Sequence, residues 1–218
     1  MSLISSLFQY LLKRAIRQEV QKAISSVSYD LTPPQYVLEA GELLKEATQA
    51  AKSSNYLMAL QRYEEALRLY ESNNDTPLLD ILFRKSNYLY KAGKKEEAWN
   101  HLADLNEKHQ GNSGDVLDKM RLFQQRENDW PIATVYATMA HLAYCKGNLL
   151  RDHSTGIDAD QPIWPESALA GLLKKIANQE LSGMIAIFLL TYRDNLRELN
   201  ILNLEKELFY KVKYYFTA

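Results

Sequence analysis

The chain has 218 residues, with 26 basic and 27 acidic side chains and a formal net charge of −1 at pH 7. This balance provides no overall attraction for nucleic acid, so a nucleic-acid partner is disfavoured. Cys145 is the only cysteine, which excludes an intrachain disulfide and fits a reducing compartment. The first residues lack the basic segment and the cleavage site of a signal peptide, and the longest apolar run, Met184 to Leu190, is too short to cross a bilayer. We therefore expect a cytoplasmic protein.

Apolar residues recur with helical spacing along the chain, and no convincing alternation of apolar and polar residues predicts a strand. The predicted fold class is all-α. A first amphipathic helix is predicted over residues 3–27, because Pro33 and Pro34 prevent its continuation. The further helices are predicted at 35–53, 56–72, 78–92, 95–109, 114–127, 130–146, 166–178, 180–200 and 203–216, with a long loop at 147–165.

These elements form four stretches of what we expect to be one continuous domain. Residues 1–30 carry the amphipathic helix, 35–146 the helical repeats, 147–165 the loop and 166–218 a helical cap. Loops as long as the third stretch are often functional or disordered. The last stretch is interpreted as a cap because the end of a stack of helices must cover its apolar face.

Two helix pairs repeat the same pattern of small and large residues. In each pair a turn signal separates the helices, at 53–55 and at 93–95. The second helices then carry matching residues at the same spacing, which are Ala59, Tyr63 and Ala66 in the first pair and Ala98, Leu102 and Leu105 in the second. A unit of this kind cannot bury its apolar face alone, so neighbouring units stack. Such a stack favours an extended binding surface over a catalytic pocket.

The pattern resembles the tetratricopeptide repeat family. Ala59, Ala98 and Ala133 recur at intervals of 39 and 35 residues, and the family repeat is about 34 residues long. Where the family has a large, a small and an aromatic residue, the first helices carry Leu43, Ala47 and Ala50, then Leu82, Ser86 and Leu89, and the third unit offers Leu117, Arg121 and Gln124. The resemblance covers residues 40–146, as two to three degenerate repeats. It implies a right-handed solenoid of antiparallel helix pairs.

The resemblance also implies where a partner binds, because the first helix of each repeat lines the concave face. Carried over to this sequence, that face holds Lys52, Phe83, Asn87, Tyr90, Lys91, Gln125 and Arg126. Asparagine can both donate to and accept from a peptide backbone, while Lys and Arg favour carboxylates. We therefore predict a non-catalytic interaction module, or scaffold, that binds a protein or peptide partner with no metal or cofactor.

The first helix offers an alternative function. Its apolar stripes over residues 3–15 and 16–27 are centred roughly 150° apart around the helix axis, so one flat neighbour cannot cover both. Residues 3–15 could lie on an acidic membrane surface or seal a homodimer, as in a peripheral or self-assembling scaffold component. Burial of both stripes by the same chain is the other interpretation.

A metal-dependent enzyme is the third hypothesis. Asp152, His153, Asp158 and Asp160 could together hold a cation, although the composition of residues 152–160 equally suits a solvated turn. His141 and Cys145 lie four residues apart on one helix face, a spacing that two metal ligands can have. Two ligands do not make a site, and we interpret this pair as core or groove residues.

The last two helices are predicted to be structural. The run from Met184 to Leu190 is apolar all round, which predicts a helix buried on every side. The final helix carries an apolar stripe at Leu204, Leu208, Val212 and Tyr215, and the pair could cap the repeats. Its aromatic edge, at Tyr210, Tyr214 and Tyr215, is an alternative dimer surface.

Overall fold

The computed structural model describes residues 33–155 and 166–217, with side chains described at 33–147 and 168–217. Within these ranges every regular element is a helix and there is no strand, which confirms the all-α class. The helices are α1 (Gln35–Lys52), α2 (Tyr56–Ser72), α3 (Leu79–Lys91), α4 (Lys95–Lys108), α5 (Gly114–Arg126), α6 (Trp130–Thr155), α7 (Glu166–Ile176), α8 (Gln179–Arg193) and α9 (Leu204–Thr217), with a 3₁₀ helix at Ile201–Asn203. No helix in the described ranges is long and apolar enough to span a bilayer.

The bounds of α1 to α5 agree with the predicted helices to within one residue, but two later boundaries were wrong. Helix α6 continues to Thr155, where the sequence had predicted a loop from residue 147. A glycine inside a helix costs only about 1 kcal/mol, and the next proline is Pro162, so nothing forces the helix to end at Gly147. Helix α8 ends at Arg193 rather than at residue 200, because turns follow. The predicted helix in residues 1–30 lies outside the described residues.

Helices α1 to α5 all end in the same backbone motif. The second residue after each helix adopts a positive φ, and these residues are Ser54, Asn74, Gly93, Gln110 and Asn128. The N–H of that residue donates to the carbonyl three positions back, and the next N–H donates to the carbonyl five positions back, as from Asn55 to Ala50 and from Lys94 to Leu89, both at 2.9 Å. This is a Schellman motif, which satisfies carbonyls that a helix end leaves free. Five sharp reversals of the chain follow from it.

The turns within the helix pairs recur at the same intervals as the alanines of the second helices. Ser54, Gly93 and Asn128 lie 39 and 35 residues apart, as do Ala59, Ala98 and Ala133. All three alanines are fully buried. The third pair, α5 and α6, therefore repeats the turn and the small contact residue of the first two pairs, although its first helix has different side chains.

Helices that are adjacent in the chain pack against each other from α1 to α6. Buried small residues lie at the contacts, with Ala47, Ala59, Ala66 and Ala98 fully inaccessible, so the helix backbones can approach closely. Tyr63 is also fully buried, and its hydroxyl donates to the Ile81 carbonyl, which ties α2 to α3. Helix α6 then contacts α7, α8 and α9 and connects the pairs to the C-terminal helices.

The prediction that the Met184–Leu190 run is buried on every side was wrong. Helix α8 buries Leu181, Ile185 and Phe188, which lie on one face, while Ile187 is 68% and Leu190 is 62% exposed. In α9, Leu204, Leu208 and Val212 are buried as predicted. Tyr210 and Tyr214 of that helix are exposed. The two helices therefore expose apolar and aromatic surface.

Candidate partner-binding face

Helix α3 lies between α1 and α5 along one face, and side-chain contacts join the three helices there. On one side, Arg84 Nη1 donates to Thr48 Oγ1 of α1 at 3.4 Å. On the other side, Arg126 Nη1 of α5 donates to Asn87 Oδ1 at 3.3 Å. We call this surface the first-helix face and define it by Thr48, Lys52, Arg84, Asn87, Tyr90, Lys91, Lys119 and Arg126.

Tyr90 is the most constrained side chain of the first-helix face. Its ring centroid lies 5.5 Å from Arg126 Cζ and 5.6 Å from Lys95 Nζ, both at cation–π distance. Its hydroxyl donates to Glu127 Oε1 at 2.6 Å, and Lys95 Nζ lies 2.8 Å from the other oxygen of that carboxylate. The hydrogen bond to Glu127 raises the pKa of Tyr90. The hydrogen bonds from Lys95 and Tyr90 lower the pKa of Glu127. Glu127 therefore carries a negative charge, which the positive charge of Lys95 compensates.

Three cations occupy the last turns of α1, α3 and α5. They are Lys52, Lys91 and Arg126, and all three are exposed. A cation at this end of a helix interacts favourably with the helix dipole. Lys91 Nζ lies 5.5 Å from the ring centroid of Tyr56, at the start of α2. The three pairs thus present a positive charge at the same structural position.

The structure places one of the predicted contact residues, Phe83, in the core. Phe83 is only 4% exposed, and Lys119 Nζ lies 5.4 Å from the centroid of its ring. Phe83 therefore supports the first-helix face as part of the core, which corrects its assignment as a contact residue. Gln125 is half-buried, as Asn87 and Tyr90 are, and its Oε1 accepts from Arg121 Nη1 at 3.0 Å, so its role as a contact residue stays a prediction. The predicted residues that share the first-helix face are the exposed Lys52, Lys91 and Arg126 and the half-buried Asn87 and Tyr90.

Three residues of this face, Thr48, Arg84 and Lys119, were not predicted from the sequence, and two of them are basic. Arg84 lies three positions before Asn87, and Lys119 lies seven positions before Arg126. Both spacings place the residues on the same side of a helix. These spacings could have identified Arg84 and Lys119 from the sequence, but only with the knowledge that α1, α3 and α5 are neighbours.

The described residues give no support to a metal site. They contain no group of three or more His, Cys, Asp or Glu side chains placed to hold an ion. His141 Nε2 and Cys145 Sγ are 3.6 Å apart, as expected for side chains one helical turn apart. The side chains of residues 152–160, and the whole of residues 3–15, lie outside the described residues, so the enzyme and membrane hypotheses stay predictions.

The fold defines a general class, an all-α protein of helices packed in adjacent pairs. Within the part of the chain that the structure describes, its clearest surface feature is a polar and aromatic face across three first helices. In comparison with known proteins, no family model, no curated protein and no solved structure matches the chain.

Proposed function

We propose that the protein is a non-catalytic protein-interaction module of the cytoplasm, whose first-helix face binds a segment of a partner protein. In this proposal the helix pairs form a right-handed, tetratricopeptide-like solenoid. The observation that supports it is the contact between Asn87, Tyr90 and Arg126, three residues that sequence reasoning had assigned to one binding face. Asn87 and Tyr90 belong to α3 and Arg126 belongs to α5, so at least 126−90=36 positions separate Arg126 from the other two.

The chemistry of the face suits a peptide backbone. Asn87 accepts one hydrogen bond through its oxygen, and its amide nitrogen is available to donate to a carbonyl of the partner. Tyr90 and Arg126 already hold each other in place, so fewer side-chain rotations are lost when a partner binds. An extended segment that crosses α1, α3 and α5 could contact all three helices.

A capture experiment with paired variants tests the proposal. The variant Asn87→Ala/Lys91→Ala removes two side chains from α3. The control Asn100→Ala/Lys108→Ala removes the same two residue types from exposed positions of α4, the second helix of the same pair. Circular dichroism of both variants should give the helical content of the natural sequence, which excludes unfolding as the cause of any loss.

We expect a specific set of cytoplasmic proteins to be retained by the natural sequence and the control and lost from the α3 variant. Direct binding of a purified member of that set should then show the same difference. If the α3 variant retains every partner, the first-helix face is not the binding surface, and the proposal is wrong.

A further inference from the structure

The first-helix face carries basic side chains that have no acidic partner. Among the described residues of α1, α3 and α5, three cations form ion pairs with carboxylates, namely Lys45 with Glu42, Lys85 with Glu64 and Arg121 with Asp118. The other five, Lys52, Arg84, Lys91, Lys119 and Arg126, form none. Their contacts are with neutral groups, the Thr48 hydroxyl, the Asn87 amide and the rings of Tyr56, Phe83 and Tyr90.

Three carboxylates near these cations are already paired with other cations, whereas Asp80, four positions before Arg84, and Asp115, four positions before Lys119, form no ion pair among the described residues. Glu127 follows Arg126 directly, but it is paired with Lys95 at 2.8 Å. Asp118 precedes Lys119 directly, but it is paired with Arg121 at 2.7 Å. Glu46 of α1 is paired with Arg62 of α2 at 3.0 Å. Because five cations without an ion pair outnumber Asp80 and Asp115, the first-helix face is locally positive on a chain whose net charge is only −1.

We propose that the first-helix face binds an acidic, extended segment of its partner through several side-chain carboxylates. This inference rests on the proposed function and specifies the chemistry of the partner. Arg84 and Arg126 can each offer two parallel N–H donors to one carboxylate, whereas Lys52, Lys91 and Lys119 act as point charges.

The spread of the cations sets the length of the segment. Arg84 and Lys91 are seven positions apart, about 10 Å along α3, and neighbouring helices lie about 8–10 Å apart. The five charges thus extend over about 20 Å from α1 to α5. An extended chain advances about 3.3 Å per residue, so roughly six residues span this distance. A single terminal carboxylate would engage only one end of the face.

A peptide-binding experiment tests the inference with a defined probe. The natural sequence selects ligands from a bead-bound library of random decapeptides, all with amidated C termini. Selected peptides are then measured in solution against the variant Lys91→Glu/Arg126→Glu. The control is Arg68→Glu/Lys108→Glu, which makes the same change in net charge at exposed, unpaired positions of α2 and α4.

We expect the selected peptides to be enriched in Asp and Glu. The Lys91→Glu/Arg126→Glu variant should bind them about tenfold more weakly than either the natural sequence or the control, because two attractions become repulsions. Binding should also weaken as sodium chloride is raised.

Four results would overturn the inference. If the selected peptides have no acidic bias but still lose affinity in Asn87→Ala, the face binds another kind of segment, and the proposed function survives without this refinement. If both charge variants lose affinity equally, or no peptide is selected, the positive face is not a recognition element. If single-stranded oligothymidine displaces the peptides at equal concentration, the face recognises phosphate instead.

Discussion

The repeated pairs, α1 to α6, and the C-terminal helices, α7 to α9, bury their apolar residues in different ways. In the pairs, fully buried alanines such as Ala47, Ala59 and Ala98 lie at the helix contacts. In α8, long side chains such as Ile185 and Phe188 are buried, while Ile187 and Leu190 of the same apolar run are exposed. Small residues thus lie at helix contacts in the pairs, which also bury large side chains such as Tyr63 and Leu117, whereas the apolar run of α8 is buried only where a neighbouring helix covers it.

This comparison shows which sequence signals specify a neighbour. An alanine at a helix contact is informative, because only a small side chain lets two backbones approach closely. An isoleucine is consistent with both a buried and an exposed position, because many apolar atoms stay on protein surfaces. The regions should therefore respond differently to mutation, and four predictions test this, from the largest expected effect to the smallest.

Truncation to alanine within the apolar run of α8 should lower stability strongly at one position and hardly at all at another, two residues away. Ile185 is 1% exposed, so Ile185→Ala should lower the free energy of unfolding by about 2–5 kcal/mol through lost burial and a cavity. Ile187 is exposed, so Ile187→Ala should change it by less than about 0.5 kcal/mol. Chemical denaturation measures both. Equal losses would mean that α8 is covered on both sides and that the contrast between the regions is false.

Enlargement of a contact alanine should destabilise the repeated pairs. Ala98→Leu places a large side chain where α4 has no free space, which should cost about 1–3 kcal/mol. Ala92→Leu, at the half-buried position after α3, serves as the control and should cost less. Thermal melting of the two variants decides the matter. If they melt at the same temperature, the alanine spacing does not mark the helix contacts.

A hydrogen bond from α6 to α9 is one of those that join the two regions, and its removal should have a moderate effect. Tyr136 of α6 is 3% exposed, and its hydroxyl donates to Glu205 Oε1 of α9 at 2.8 Å. Tyr136→Phe should lower the free energy of unfolding by about 0.5–1.5 kcal/mol. Tyr210→Phe changes the same group at a position that is 74% exposed, and it should leave stability unaltered. A Tyr136→Phe protein as stable as the control would show that this bond does not couple the regions.

The smallest expected effect is a loss of stability at acid pH that depends on Glu127, at the turn between α5 and α6. Because Lys95 and Tyr90 hold the pKa of Glu127 below its ordinary value of 4.5, this group stabilises the fold above that pH and loses its effect as the pH falls through the lowered pKa. The melting temperature of the natural sequence should therefore exceed that of Glu127→Gln at pH 7, and the difference should shrink toward pH 3. A difference that is constant with pH would rule out this contribution.

Local signals predicted the helices α1 to α5 well, because their ends carry turn residues such as Gly93 and Asn128, which favour a left-handed conformation. The same reasoning failed at Gly147, because a glycine weakens a helix without ending it. It also placed Phe83 on the binding face. That side chain lies on the correct helix, but neighbouring α5 covers it through Lys119.

The sequence by itself determined the all-α class, the helix pairs and the small residues at their contacts, since helical periodicity, turn chemistry and side-chain size act between residues close in the chain. Only the tertiary structure decided that Arg84 and Lys119 join Asn87 on one face, that Phe83 is buried and that Ile187 is exposed. These outcomes depend on which helices become neighbours. That is settled by contacts between residues far apart in the chain, which local spacing does not encode.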